Sequence, residues 1–254
     1  MAKLNGSFQQ QQIAFGRYLA NWFATLYADT PALKEFKARP VAEAIKWAPA
    51  RMIDAAQDML EQYRKNENGA AGASTKLPVV LVAPDDDFVG TGADWGGHHT
   101  ERQMLQIDEG GSWYGHRELM HDRRFQVVII ASEGDTAKSL AAQLSWHLKQ
   151  LRNRYMDAVY EFGQYQVPAP MQLEGNRIDW MLVRTDGIKN LKMLAADIPV
   201  KCTVPLFDAP ADGEQNDGTD NAPPGYPLTQ VVRMQQTAGL GVDRWKDGDE
   251  HLSQ

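Results

Sequence analysis

Four histidines and a run of aspartates are the residues of this chain whose types invite chemistry. His98, His99, His116 and His121 fall within one glycine-rich stretch, and Asp94, Glu101 and Asp122 lie beside them. Imidazole and carboxylate are the usual ligands of zinc, iron and manganese, so a metal-dependent hydrolase or nuclease is the reaction class such a set would serve. The spacing argues against it: no HExxH occurs, and the adjacent pair His98 and His99 cannot both reach one ion without an unusual backbone. Asp85, Asp86 and Asp87 follow an apolar run, a position from which carboxylates hold magnesium in many phosphoryl-transfer enzymes. A nuclease would add an acidic residue and a lysine from a neighbouring strand, and Gln126 to Ile130 offers neither. An acidic turn leaving a sheet is therefore the expectation for Asp85–Asp87.

Other motifs are equally sparse. GTGADWGG lacks the GxGxxG spacing after a strand, and neither GxxxxGK[ST] nor GxSxG occurs. Cys202 is the only cysteine, which excludes an intramolecular disulfide and a cysteine-built zinc site. It sits in an apolar run with no histidine nearby in sequence and reads as a small core residue. Arg123 and Arg124 precede a strand and are candidates to meet a partner's carboxylates. No catalytic, cofactor-binding or metal-ligating residue is assigned, no cofactor is implied, and the chain is expected not to be an enzyme.

The elements around these residues are clearer than the chemistry. Phe15, Tyr18, Leu19, Trp22, Phe23, Leu26 and Tyr27 recur at helical spacing and predict one aromatic-rich amphipathic helix. Asp29, Thr30 and Pro31 end it and begin another, and Pro40 and Pro49 divide the next stretch into short helices. The last of these places Met52, Ile53, Ala56, Met59, Leu60 and Tyr63 on one face, before a loop at 68–74.

Leu77 to Ala83 predicts a buried strand, with Pro78 confined to its start or to a sheet edge. Glu101–Ile107 and Trp113–Met120 can pair as a hairpin around Gly110 and Gly111. Arg124 to Leu151 reads as a strand buried on both faces, a capping turn at Ser132–Asp135, and an amphipathic helix. That helix buries Ala137, Leu140, Ala141, Leu144, Leu148 and Leu151. Trp146 falls off this stripe, where it either packs beneath the glycine-rich loop or anchors a subunit contact. Helix is expected to continue or restart through Tyr155–Phe162, followed by strands at Asp179–Arg184 and Met193–Phe207 with a turn at Gly187–Asn190.

These elements describe an α+β protein. A helical region occupies residues 1–67, and 76–207 forms a small mixed or antiparallel sheet packed by an amphipathic helix, with a glycine-rich insert at 85–122. Residues 208–254 form an acidic, extended arm. Asp208 to Gln254 holds nine acidic residues against three basic ones, a balance of −6 out of the chain's −7, so the other 207 residues carry about −1. A nearly neutral body with an acidic arm lacks the basic face of a general nucleic-acid binder. No apolar run is long enough to span a bilayer, and MAKLNGSFQQQQ has no apolar signal region. The low-hydrophobicity stretch after Phe207 cannot fold alone, whereas Leu228–Trp245 is apolar enough to dock, through Val231, Val232, Met234 and Trp245. With Trp95, Trp113, Trp146, Arg123 and Arg124, these are the candidate interface residues.

The order of elements, and in particular RRFQVVIIASEGDTAKSLAAQLSWHLKQL and KMLAADIPVKCTVPLF, resembles the tail terminator, or tail completion, proteins of long-tailed bacteriophages and their neck proteins. The resemblance covers roughly residues 77–207. It implies a strand feeding a helix that packs across a small sheet, and six copies in a ring that caps the tail tube and meets the head connector. It further implies a virion protein assembled in host cytoplasm, with no catalytic residues and no membrane contact. Nucleic acid would not be read by sequence, though DNA would pass through the ring.

Overall fold

A computed structural model describes residues 7–48, 77–85, 89–91, 101–107, 109, 113–162, 165–183 and 191–208, together with the backbone of 236–238 and 242–244. The chain combines helices with one curled sheet, in agreement with the α+β class, but the sheet has nine strands and is not the small one expected. Helices α1 (Ser7–Ala24), α2 (Pro31–Ala38) and α3 (Val41–Ala44) come first, and α4 (Gly134–Lys149) lies mid-chain. The strands are β1 (Ile45–Trp47), β2 (Val79–Pro84), β3 (Val89–Gly90), β4 (Gln103–Gln106) and β5 (Trp113–Ala131), then β6 (Tyr155–Phe162), β7 (Tyr165–Leu173), β8 (Met181–Val183) and β9 (Lys192–Asp208). A separate antiparallel hairpin joins β10 (Gln236–Ala238) to β11 (Val242–Arg244).

The main path of the sheet is β1-β2-β5-β9-β7-β6, with β3 and β4 also on β5 and β8 also on β9. Only β1 and β2 run parallel among the described strands. The spine is the pairing of β5 with β9, which holds without a break from Gly115↔Asp208 to Ala131↔Lys192. At 19 residues, β5 is roughly 60 Å long.

Strand geometry sends successive side chains to opposite faces, which explains the continuous apolar run of β5. Val127 and Ile129 join the core beneath the helices, while Val128 and Ile130 join a second cluster on the other face with Val79, Leu81, Met193 and Ala195. Helix α1 brings Phe15, Tyr18, Leu19, Trp22 and Phe23 to the first core, and the Phe15 ring stacks on Phe125 at 4.1 Å and 7°. Thus α1 shares one core with the sheet. Thr30 caps α2 by accepting from the Leu33 N–H at 3.3 Å, with Pro31 in the first turn. At α4 the capping expectation holds only in part. Glu133 is the N-cap but makes no side-chain cap bond, and Asp135 contributes charge in the first turn.

Several expectations are corrected. Tyr155–Phe162 is strand β6, because Met156, Ala158 and Tyr160 alternate inward with period two. The short-helix region before Pro49 contains strand β1 as well as α3. Trp113–Met120 and Phe125–Ile130 belong to one strand, with no break at Asp122–Arg124. Strand β7 went unanticipated, and β9 runs straight through Pro199. The expected 101–120 hairpin is present, with Gln106 opposite Trp113. Leu151 is 70% exposed rather than buried. The expected helix at 52–63, the 68–74 loop, the 187–190 turn and the acidic stretch at 209–235 lie outside the described residues.

Candidate functional site

The sheet brings two of the four histidines into view, and it separates them. His116 and His121 are five residues apart on β5, so they occupy opposite faces, about 16 Å apart along the strand. His116 packs against Phe207 at 5.0 Å between ring centres. His121 is 2% exposed and lies on the α1 side, where its Nε2 is 3.2 Å from Gln11 Oε1. Asp122 faces away from His121, accepts from Lys201 Nζ at 3.2 Å, and also accepts from the Thr91 hydroxyl. Among the described residues no group of three or more His, Cys, Asp or Glu is arranged to hold a metal ion. Glu101 is exposed, while Asp86, Asp87, Asp94, His98 and His99 lie outside the described residues.

Asp85 and Arg123 instead form part of a buried polar bolt that fastens α1 to the sheet. Arg123, only 6% exposed, donates from Nη1 to the Phe8 carbonyl at 2.7 Å and to Gln11 Oε1 at 3.0 Å. Its Nε stands 3.8 Å from Asp85 Oδ1, and its guanidinium lies over the rings of Phe8 and Phe125 at 5.8 and 5.3 Å. Gln11 Nε2 donates to the Tyr160 hydroxyl at 3.1 Å, which donates onward to the Thr203 carbonyl at 3.2 Å. Asp85 Oδ2 accepts from the Arg124 backbone N–H at 3.0 Å. Burial and the neighbouring Arg123 cation lower the His121 pKa to about 4, so the ring is neutral near pH 7. Burial pushes the Cys202 thiol up to about 12, which suits a core residue and not a nucleophile.

This arrangement corrects two of the expected interface residues. Arg123 is internal, because its guanidinium donates to the Phe8 carbonyl and the Gln11 side chain of α1. Trp113 is 4% exposed and buried, not presented to a partner. Arg124 is exposed on the opposite face of β5. Trp95, Val231, Val232, Met234 and Trp245 lie outside the described residues.

Trp146 is 64% exposed, and the sequence pattern placed it off the buried stripe for that reason. Beside it, Tyr27 is 73% exposed, although its position in the α1 stripe predicted burial. The chain leaves the helix after Ala24, so Tyr27 no longer follows the helical period. A groove lies between the ends of α1 and α4, lined by Trp22, Leu26, Tyr27, Ala142, Gln143 and Trp146. Gln143 fixes its geometry: Oε1 accepts from the Tyr27 N–H at 2.8 Å and Nε2 donates to the Tyr27 carbonyl at 3.0 Å. The loop carrying Tyr27 is therefore held to α4 by two bonds. Thr25 also lines the groove, its hydroxyl donating to the Trp22 carbonyl at 2.8 Å, and the lining carries no charged side chain, so its chemistry is that of an apolar contact. Leu151, Leu182 and Met181 are further large apolar side chains left at least half exposed.

No helix among the described residues is long and apolar enough to cross a membrane. No family model matches the chain, and no curated protein is similar to it. A solved structure that carries only an identifier as its name overlays at a TM-score of 0.34 and 13% identity, covering 78% of this chain and 96% of that one. That likeness is too slight to carry an argument about fold or function.

Proposed function

We propose that this chain is a virion structural protein, a ring-forming tail terminator or neck subunit that joins a phage tail tube to the head connector. The observation that carries this reading is the Tyr27–Trp146 groove: two large exposed aromatic side chains flank an apolar floor, and Gln143 bonds the Tyr27 backbone to α4. Contiguous exposed apolar surface of this kind is characteristic of surfaces that partners cover, and tryptophan and tyrosine are enriched among the residues that dominate binding energy. The sheet packed by α4, the helical N-terminal region and the acidic stretch after β9 follow the order of elements on which the resemblance rests. The partners are further copies of the chain in a hexamer, then the tail tube and connector. A nearly neutral body and acidic arm suit a channel through which DNA slides without adhering.

The test is native mass measurement of the full chain beside Trp146→Glu. The wild-type chain is expected as a hexamer. The variant is expected to stay folded, since surface substitutions usually change stability by about 0.5 kcal/mol or less, and to associate at least about 30-fold more weakly, the equivalent of a 2 kcal/mol anchor. A monomeric wild-type chain at high concentration, or stoichiometric tightly held metal in the purified protein, would overturn the proposal. The metal result would point to a hydrolase built on Asp85–Asp87 and the His98–His121 loops.

A further inference from the structure

Helix α1 and the turn that follows it supply one wall of the Tyr27–Trp146 groove, through Trp22, Thr25, Leu26 and Tyr27. Two buried histidines pack against that helix, His121 from β5 on its first half and His147 from α4 on its second. His121 is 2% exposed, with Nε2 3.2 Å from Gln11 Oε1 and its ring edge-on to Phe8 at 5.5 Å. His147 is 6% exposed and packs edge-on to Tyr18 at 5.2 Å. In α4 it lies one turn beyond Gln143, the residue that bonds the Tyr27 backbone.

The neighbours of each ring select its neutral form. Gln11 Oε1 accepts from Arg123 Nη1 at 3.0 Å, so His121 Nε2 is the donor of its own pair with that oxygen and carries the proton. At the second site Asn153 Nδ2 lies 3.0 Å from the His147 carbonyl and 3.1 Å from Nδ1. An amide nitrogen only donates, so Nδ1 accepts, and a proton there would set two donors against each other. Around His121 stand Asp122 and Arg123 on β5, Asp85 at the end of β2, Cys202 opposite on β9, and Tyr160 on β6, bonded to Gln11. Asp122 faces away and is engaged by Lys201 at 3.2 Å, which leaves Arg123 to oppose a second positive charge. Around His147 stand Tyr18 on α1, Lys149 on α4 and Arg152 in the turn after it.

We infer that α1 is a proton-sensitive latch: protonating His121 and His147 loosens α1 from the sheet and takes apart the groove wall it carries. Control of assembly by this latch rests on the ring reading, whereas the loosening itself does not. Burial first, and then Arg123 and Arg152 respectively, lowers each ring to about 4, against about 6.5 in water. Protons are therefore taken up where α1 has locally unfolded, and acid draws the equilibrium that way. The effect is absent above pH 6.5 and grows as the pH falls towards 4. Between pH 7 and pH 5 one ring multiplies the open population about 20-fold, and two rings about 500-fold.

Hydrogen exchange of the full chain tests this. Amide protection is compared at pH 7 and pH 5 for α1 and for the β5–β9 ladder, after correction for the intrinsic pH dependence of exchange. Helix α1 is expected to lose at least about 20-fold in protection while the ladder keeps its own. His121→Gln and His147→Gln should each remove about 20-fold of that response, and the wild-type profile decides alone if neither variant folds. Equal loss in α1 and the ladder, or no loss in α1, overturns the inference, as does a full response in both folded variants. Native mass at pH 7 separates the two claims. A hexamer whose α1 keeps its protection at pH 5 removes the latch alone. A monomer whose α1 loosens removes the ring, and with it the control of assembly, and leaves the latch standing.

Discussion

Replacing Arg123 with methionine removes the cation at the centre of the bolt that ties α1 to the sheet, while keeping much of the side chain's apolar length. Two charge-assisted bonds disappear, to the Phe8 carbonyl at 2.7 Å and to Gln11 Oε1 at 3.0 Å. The Asp85 carboxylate, with its side chain 5% exposed, loses the cation that stood 3.8 Å away. Removing one partner of a buried pair costs about 3–5 kcal/mol, much of it from the charge left behind. Because 3.8 Å is a charge contact and not a short hydrogen bond, the lower half of that range applies, about 3–4 kcal/mol. Urea unfolding followed by the fluorescence of the chain's seven tryptophans measures it. With a slope of roughly 1–3 kcal/mol/M, the midpoint falls by at least about 1 M. Adding Asp85→Asn to the Arg123→Met chain should restore part of the loss, because the stranded charge is gone while an oxygen remains to accept from the Arg124 N–H. A loss under about 1 kcal/mol, or no recovery in the double variant, would refute this account of the bolt.

The same stability assay across pH tests the buried titratable groups. Burial lowers His121 and His147 to about 4, against about 6.5 when unfolded. Stability is therefore full above pH 6.5 and falls towards pH 4, by up to about 1.4 kcal/mol per unit for each ring, because only the unfolded chain takes up those protons. Asp157 works in the opposite sense. Burial raises its carboxyl to about 6, so its ionised form opposes folding above that pH. Asp157→Asn should add about 1 kcal/mol at pH 8, after allowance for partial contact with water, and nothing below pH 4; an equal gain at both would count against the assignment. Gly16→Ala should stabilise by up to about 1 kcal/mol from helix propensity, since its Cβ would meet Trp47 Cζ2 at an ordinary 3.4 Å. Gly16→Leu should destabilise by displacing the indole, and calorimetric midpoints would distinguish the two substitutions.

Helices α1, α2 and α4 and strand β2 were legible because their signals are local: aromatic and aliphatic spacing, the Thr30–Pro31 cap and a continuous apolar run. Strands with non-local support were not. Pro168 and Pro170 discouraged a strand at β7, yet both pair with β6, and β7 meets β9 only through Met171–Leu173. The missing N–H groups of the prolines are tolerated where no second partner demands them. Pro199 is similar. Its carbonyl accepts from the Glu174 N–H on the β7 side, so its absent donor faces the place where that ladder ends. The polar triad Asp122–Arg124 looked like a break because the groups that satisfy it are distant in sequence: Gln11 lies 112 residues from Arg123, and Lys201 lies 79 from Asp122. Of the interface candidates, Trp146 was visible from its phase on one helix. Arg123 and Trp113 were misassigned because charge and aromatic character do not reveal burial. Tyr27 was missed because its exposure depends on where α1 stops.

The central claim is that the exposed surface serves assembly, and native mass spectrometry of the intact chain tests it most directly. The account predicts a closed hexamer that falls to monomers when Trp146 is replaced by glutamate. A chain that remains monomeric at high concentration, or a hexamer indifferent to that substitution, would contradict the account.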